Sequence, residues 1–341
     1  MKFDYLLVQL ILLCLFISCK KTDKPVESVK KVYIAGTQED NSGNAQPKYW
    51  LDSTMNSLNI PGNSEAYVLD MKMVDRNIYL LTEESRGQDD YCSVYKNGTR
   101  IYDFRTDSAY ITAIAVSGND VYMAGRFYLN SPPYYRASAW KNGVLIYRDN
   151  ANLETYANEI DISGSNILIS GRGSNISTGA IFGRYWLNGT ATNLTDAYEL
   201  YGGVISGNDI YTCGFTNTNY TPAYWKNGIK NQLQSAGQGG SAHQILVSGS
   251  DVYVVGNDIV NNDYQQMLWK NGQSLSLPST FNAGGTAYGI ALDGTDVYVA
   301  GQVNHNQGSS GGEVAVFWKN GVMKVLAPLS NWSQAVAVVV Q

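Results

Sequence analysis

The chain has 341 residues, of which only 16% are charged, and a formal net charge of −5, so it carries no basic footprint for nucleic acid. Two histidines leave little material for metal or histidine chemistry. Low charge together with 25 Tyr and 34 Gly suits an exported, β-rich protein with many turns.

At the N-terminus, Lys2 leads into an apolar run, Leu6 to Ile17, that is too short and too early for a mature membrane span. It ends in Phe16-Ile17-Ser18-Cys19. This resembles a bacterial lipoprotein signal, and the resemblance implies that residues 1–19 are a targeting segment with Cys19 as the lipidated residue. Ordinary signal-peptidase cleavage and an uncleaved anchor are the alternatives. Residues 20–30 are polar and read as a flexible tether, and residues 31–341 as the folded domain.

From Val32 onward two phrases alternate. The first is Val32-Tyr-Ile-Ala-Gly36, repeated as Ile78 to Thr82, Val121 to Gly125, Ile167 to Gly171, Ile210 to Gly214, Val252 to Gly256 and Val297 to Gly301. The second centres on Trp50, Tyr95, Trp140, Trp186, Trp225, Trp269 and Trp318, and from Tyr95 on each is followed by Lys-Asn-Gly or Leu-Asn-Gly. The intervals are 45, 45, 46, 39, 44 and 49 residues, the period of a four-stranded propeller blade. In each unit an apolar run forms strand A and a Ser-Gly-Asn-Asp type turn leads to strand B, the Val-Tyr phrase. Strand C ends in Trp-Lys, and a weaker strand D follows the Asn-Gly turn. One such sheet cannot bury two apolar faces, whereas radial stacking can, with the Trp wedged between neighbouring blades.

The ordered part begins on a strand B and ends on a strand A, Ala335 to Val340. The prediction is therefore an all-β, seven-bladed propeller of four-stranded antiparallel blades, closed by the C-terminal strand pairing with the N-terminal blade, which also removes two open edges. The chain resembles secreted bacterial β-propellers built from tandem short blades, over residues from about Lys31 to Gln341. That resemblance concerns fold more than activity.

Cys92 and Cys213 fall three blades apart, beyond disulfide reach, and read as small core residues. The A–B and C–D turns hardly vary between units, while the B–C connections vary freely. Binding is therefore expected on the B–C face, with neutral loop drift as the bland alternative. Aromatic residues mark the entrance of strand A: Tyr67, Tyr110, Tyr156, Tyr198, Tyr288 and Trp332, with His243 in the remaining unit. They fit either a ligand-gripping ring at the channel mouth or interblade packing. Arg86, Tyr135 and Arg136 are expected further out on the same face. Asp70 and Glu159 stand on strand A where other units have Ala113, Gly202 or Gly289. They read as a carboxylate pair, as cation ligands, or as solvated channel groups.

His243 and His305 have no metal-ligand spacing, and no nucleophile elbow or phosphate loop is present, so no catalytic residue, metal or cofactor is assigned. The expectation is a monomeric binding or interaction module at the bacterial envelope for a glycan or an envelope protein, membrane-attached only through its N-terminal lipid. A polysaccharide hydrolase or lyase using carboxylate or Tyr residues is the rival, and a structural spacer the third reading.

Overall fold

The computed structural model describes residues 30–58, 65–275, 277–281, 283–305 and 312–341. The leader with Cys19, and all of the tether except Lys30, lie outside them. Residues Lys31–Gln341 form seven four-stranded antiparallel sheets. The seven A strands are Ser333–Val340, Glu65–Val74, Ala109–Ser117, Glu154–Ser163, Ala197–Ser206, Gly240–Ser248 and Gly285–Asp293. We number the blades 1 to 7 in that order. Each A strand contacts its two neighbours, so the ring is closed.

Blade 1 is the composite one. Its strand A (Ser333–Val340) pairs with Val32–Glu39, which pairs with Ala45–Leu51 and then Thr54–Ser57. The register runs from Val32 opposite Val340 to Gln38 opposite Ser333. The closure expected from the two chain ends is present.

The repeated phrases are explained by two local devices. On the uniform face, the Lys-Asn-Gly turn and the A–B turn interlock. In blade 3, Asn142 accepts the Val121 N–H at 2.9 Å and donates to Asp120 at 2.8 Å. Lys141 reaches the other oxygen of Asp120 at 2.7 Å and lies 5.2 Å from the centre of the Tyr122 ring. Blades 5, 6 and 7 repeat this clasp with Lys226, Lys270 and Lys319. Asn142 has φ 51° and Gly143 φ 80°, as a tight hairpin of this hand requires.

The second device is a bulge. All seven A strands carry one extra residue at the same place opposite strand B: Leu69, Thr112, Asn158, Tyr201, His243, Tyr288 and Val336. The bulge brings a strand-A carbonyl over the last residue of the Val-Tyr phrase. That residue is Gly in six blades, because a Cβ on Gly256, for example, would stand 2.0 Å from the Ser241 oxygen.

The landmark Trp side chains are wedged between blades and are 0–4% exposed. Five of their six indole N–H groups donate to the connection that enters their own blade: Trp50 to Leu326 O, Trp186 to Asp149, Trp225 to Asp196, Trp269 to Gln234 O and Trp318 to Pro278 O. Each of these indoles thus fills the interblade space without an orphaned donor. Cys92 and Cys213 are free and buried, and burial holds both thiols above the ordinary range.

Candidate functional site

Innermost strands have one edge with no strand partner, so their N–H groups along the axis need other acceptors. Three channel side chains meet this need by reaching the next blade. Asp70 accepts from Ile114 N at 3.0 Å, Asp161 from Ile205 N at 2.7 Å, and Gln244 from Ile290 N at 2.6 Å. Asp70 and Glu159 occupy the position after the bulge, equivalent to Ala113, Gly202 and Gly289 as read from sequence, with Gln244 and Ala337 completing the set. Lys72 joins the two acids, 3.0 Å from Asp70 and 3.7 Å from Glu159. Burial works against the Lys72 charge, but Asp70 and Glu159 outweigh it and raise its pKa. Glu159 is pushed up to about 8, first by burial, with Lys72 opposing. Lys72, Glu159, Asp161 and Gln244 line an axial cavity of about 440 Å³ that draws on all seven A strands toward the A–B turns.

The other end of the channel is aromatic. The bulge sorts the strand-entrance residues into levels that the bare sequence blurred. Tyr67, Tyr110 and Tyr156 are equivalent, two residues before the bulge. His243 and Tyr288 are bulge residues, and Tyr201 is their counterpart in blade 5. Tyr198 lies further out, and Trp332 precedes strand A of blade 1.

Six rings run in sequence from the rim of blade 5 to blade 7. Tyr220 meets Tyr198 at 5.4 Å, Tyr198 stacks on Phe215 at 5.2 Å, and Phe215 meets Tyr201 at 5.8 Å. Tyr201 stacks on His243 at 5.2 Å and 17°, and His243 meets Tyr288 at 5.3 Å. Burial lowers the His243 pKa to about 4, so the imidazole is neutral near pH 7, and its Nε2 lies 3.0 Å from Ser241 Oγ.

Blades 3 and 4 supply a second group. Gly125 and Gly171 of the Val-Tyr phrases are each followed by an arginine. The Arg126 guanidinium lies 4.6 Å from the centre of Tyr110 and 5.7–5.8 Å from those of Tyr128, Tyr135 and Tyr156. Arg172 lies 4.5 Å from the Tyr156 ring and 3.6 Å from Glu199. Tyr110 donates to Glu83 at 2.7 Å. Cation–π contact suits such half-buried guanidinium groups.

The remaining candidates named from the sequence sit elsewhere. Arg86 is held inside blade 2 by Glu84 and Asp103, each at 2.6 Å, and lies 4.3 Å from the Tyr91 ring centre. Arg136 donates to the carbonyls of Asp149 and Ala151, fastening the connection into blade 4. Tyr67 and Trp332 form a separate edge-on pair at 6.4 Å, with the Trp332 indole bonded to Glu313. Sequence reasoning missed Tyr201, Phe215, Arg126, Arg172 and Lys72. For the two arginines the available signal was their place directly after the strand-B glycine.

No family model matches the chain, and no curated protein matches it. Among solved structures it is similar to the β-propeller domain of the trilobed protease from Pyrococcus furiosus. There the TM-score is 0.53 at 9% identity, over 88% of this chain and 93% of that one. That domain is described as having an open velcro topology, whereas here strands A and B of blade 1 pair along their length. The polysaccharide lyase Uly1 gives a TM-score of 0.50 at 11% identity, over 86% and 88% of the two chains. The acylaminoacyl peptidase of Pyrococcus horikoshii gives 0.47 at 12%, and the chain spans about half of that enzyme, covering 49% of it. At these identities the likeness to the Pyrococcus furiosus domain shows the fold alone, a β-propeller, which in this chain has seven blades.

Proposed function

We propose that the protein is an exported, lipid-anchored binding module of the bacterial envelope that grips an extended glycan on its B–C face. The observation that carries this reading is the unbroken file of rings from Tyr220 through Tyr198, Phe215, Tyr201 and His243 to Tyr288. Because the rings pack on one another, the file offers a sugar chain a rigid row of ring edges and polar tips, held at little entropic cost. The opposite face offers Lys-Asn-Gly clasps whose Lys and Asn side chains are already engaged by the A–B turn.

Binding is favoured over hydrolysis by where the acids lie. Asp70 and Asp161 accept backbone N–H groups of neighbouring blades, and Glu159 shares Lys72 with Asp70. These channel acids join the ring together, and among the aromatic residues Glu83 and Glu199 are engaged by Tyr110 and Arg172. A panel of immobilised oligosaccharides, followed by a reducing-sugar assay on those that bind, tests the reading. Saturable binding without sugar release is expected. Sugar release would establish a polysaccharide-cleaving enzyme, a hydrolase or a lyase, and absence of binding across the panel would remove the glycan reading.

A further inference from the structure

Arg126 differs from the other buried and half-buried arginines in how its charge is met. Arg86, Arg172 and Arg184 each lie within 4 Å of a carboxylate, and Arg136 is spent on two carbonyl oxygens. Among the described residues, the only hydrogen bond of Arg126 runs from Nε to the Tyr128 hydroxyl at 3.2 Å, and no carboxylate comes within ion-pair distance. Its terminal nitrogens donate to no protein group among those residues. Tyr110, Tyr128, Tyr135 and Tyr156 surround the guanidinium and fix its place. A fixed, planar fork with two open donor nitrogens matches a carboxylate in bidentate fashion.

We propose that Arg126 is the specificity residue of the mouth and takes the carboxylate of a uronate residue, so that the ligand is an acidic polysaccharide. This rests on the glycan-binding reading above and sharpens it. The neighbouring acids narrow the charge of the ligand. Glu83 accepts from Tyr110, Glu154 lies 3.4 Å from the Tyr156 hydroxyl, and Glu199 faces Arg172. A phosphate, near −2, would meet stronger repulsion from these groups than a single carboxylate on an otherwise neutral ring. The same glutamates can accept hydrogen bonds from the hydroxyl groups of that ring, and the tyrosine faces can pack against it.

The test uses tetramers of galacturonate and of mannuronate, their methyl esters, and neutral tetramers, titrated calorimetrically into the mature protein. Esterification should weaken binding by about tenfold or more, as expected for losing a charge-assisted pair. Arg126→Gln should cost a similar factor for the acids and nothing for the esters, so the two losses should not add. Arg126→Lys, which keeps the charge without the fork, should fall between. The ester comparison on the unaltered protein needs no variant and stands if Arg126→Gln fails to fold. Equal binding of acid and ester, or full acid binding by a folded Arg126→Gln protein, overturns the assignment. Neutral tetramers binding as well as acids would overturn it while leaving the glycan reading intact. Binding confined to an acidic peptide control would overturn both.

Discussion

The Cα of Gly256 lies beneath the carbonyl oxygen of Ser241, so close that a Cβ would stand 2.0 Å from that oxygen. The obstacle is backbone on both sides, fixed by the bulge at His243, and no flexible side chain can yield. Gly256→Ala should therefore lower stability by about 1–3 kcal/mol or more, as for other overpacked interiors. Urea denaturation would check this. A variant with an unchanged midpoint would mean that the bulge relaxes freely.

The interblade tryptophans lead to a second expectation. Trp225 is fully buried and its indole donates to Asp196 at 3.1 Å. Trp225→Ala removes both the packing and that bond and should cost roughly 3–5 kcal/mol. A loss below about 1 kcal/mol would be the behaviour of a surface residue.

Closure gives a third. Deleting residues 335–341 removes most of a strand paired from Ala335 with Gly36 to Val340 with Val32, and it exposes the edge of Val32–Glu39. Cooperative thermal unfolding should be lost. A truncated protein that melts like the full chain would contradict the composite blade.

The channel sets a pH dependence. Glu159 has its folded pKa raised to about 8. Its contribution is therefore fully present below the ordinary glutamate range and is lost as pH rises toward 8, because the folded state then holds a proton that the unfolded state has released. Below about pH 6.5 the neutral His243 opposes this trend, so the net fall is expected between about pH 6.5 and 8, by no more than about 1.4 kcal/mol per pH unit, the most one proton can give. Glu159→Gln should flatten that slope in urea titrations at several pH values. An unchanged slope would place the dependence elsewhere.

Much of this architecture was legible because seven units use the same residues for the same tasks. The Lys-Asn-Gly turn, the Val-Tyr phrase and the landmark aromatic each recur at one place in the blade. The bulge was not legible, since one extra residue in an apolar run leaves the pattern intact and shows only in the glycine facing it. Levels within the mouth were blurred for the same reason. Tyr198 drew attention in blade 5, although Tyr201 is the residue equivalent to His243 and Tyr288. Arg86 illustrates a different limit. It borders a variable connection, yet Asp103, 17 residues away on strand D, holds it within the blade. Such pairing depends on strand register, which spacing alone does not reveal.

If the proposed grip is right, ligand binds the aromatic B–C face and not the clasped one. The direct measurement is the affinity of one bound oligosaccharide for Tyr201→Ala, Tyr288→Ala and Lys226→Ala proteins of matched folding. Tyr201 and Tyr288 frame His243 at the mouth, whereas Lys226 is held by Asp209 at 2.7 Å on the far side. Each tyrosine variant should lose at least about 1–2 kcal/mol of binding, and the lysine variant should bind like the parent. Loss at Lys226 with both tyrosines silent would put the ligand on the clasped face instead.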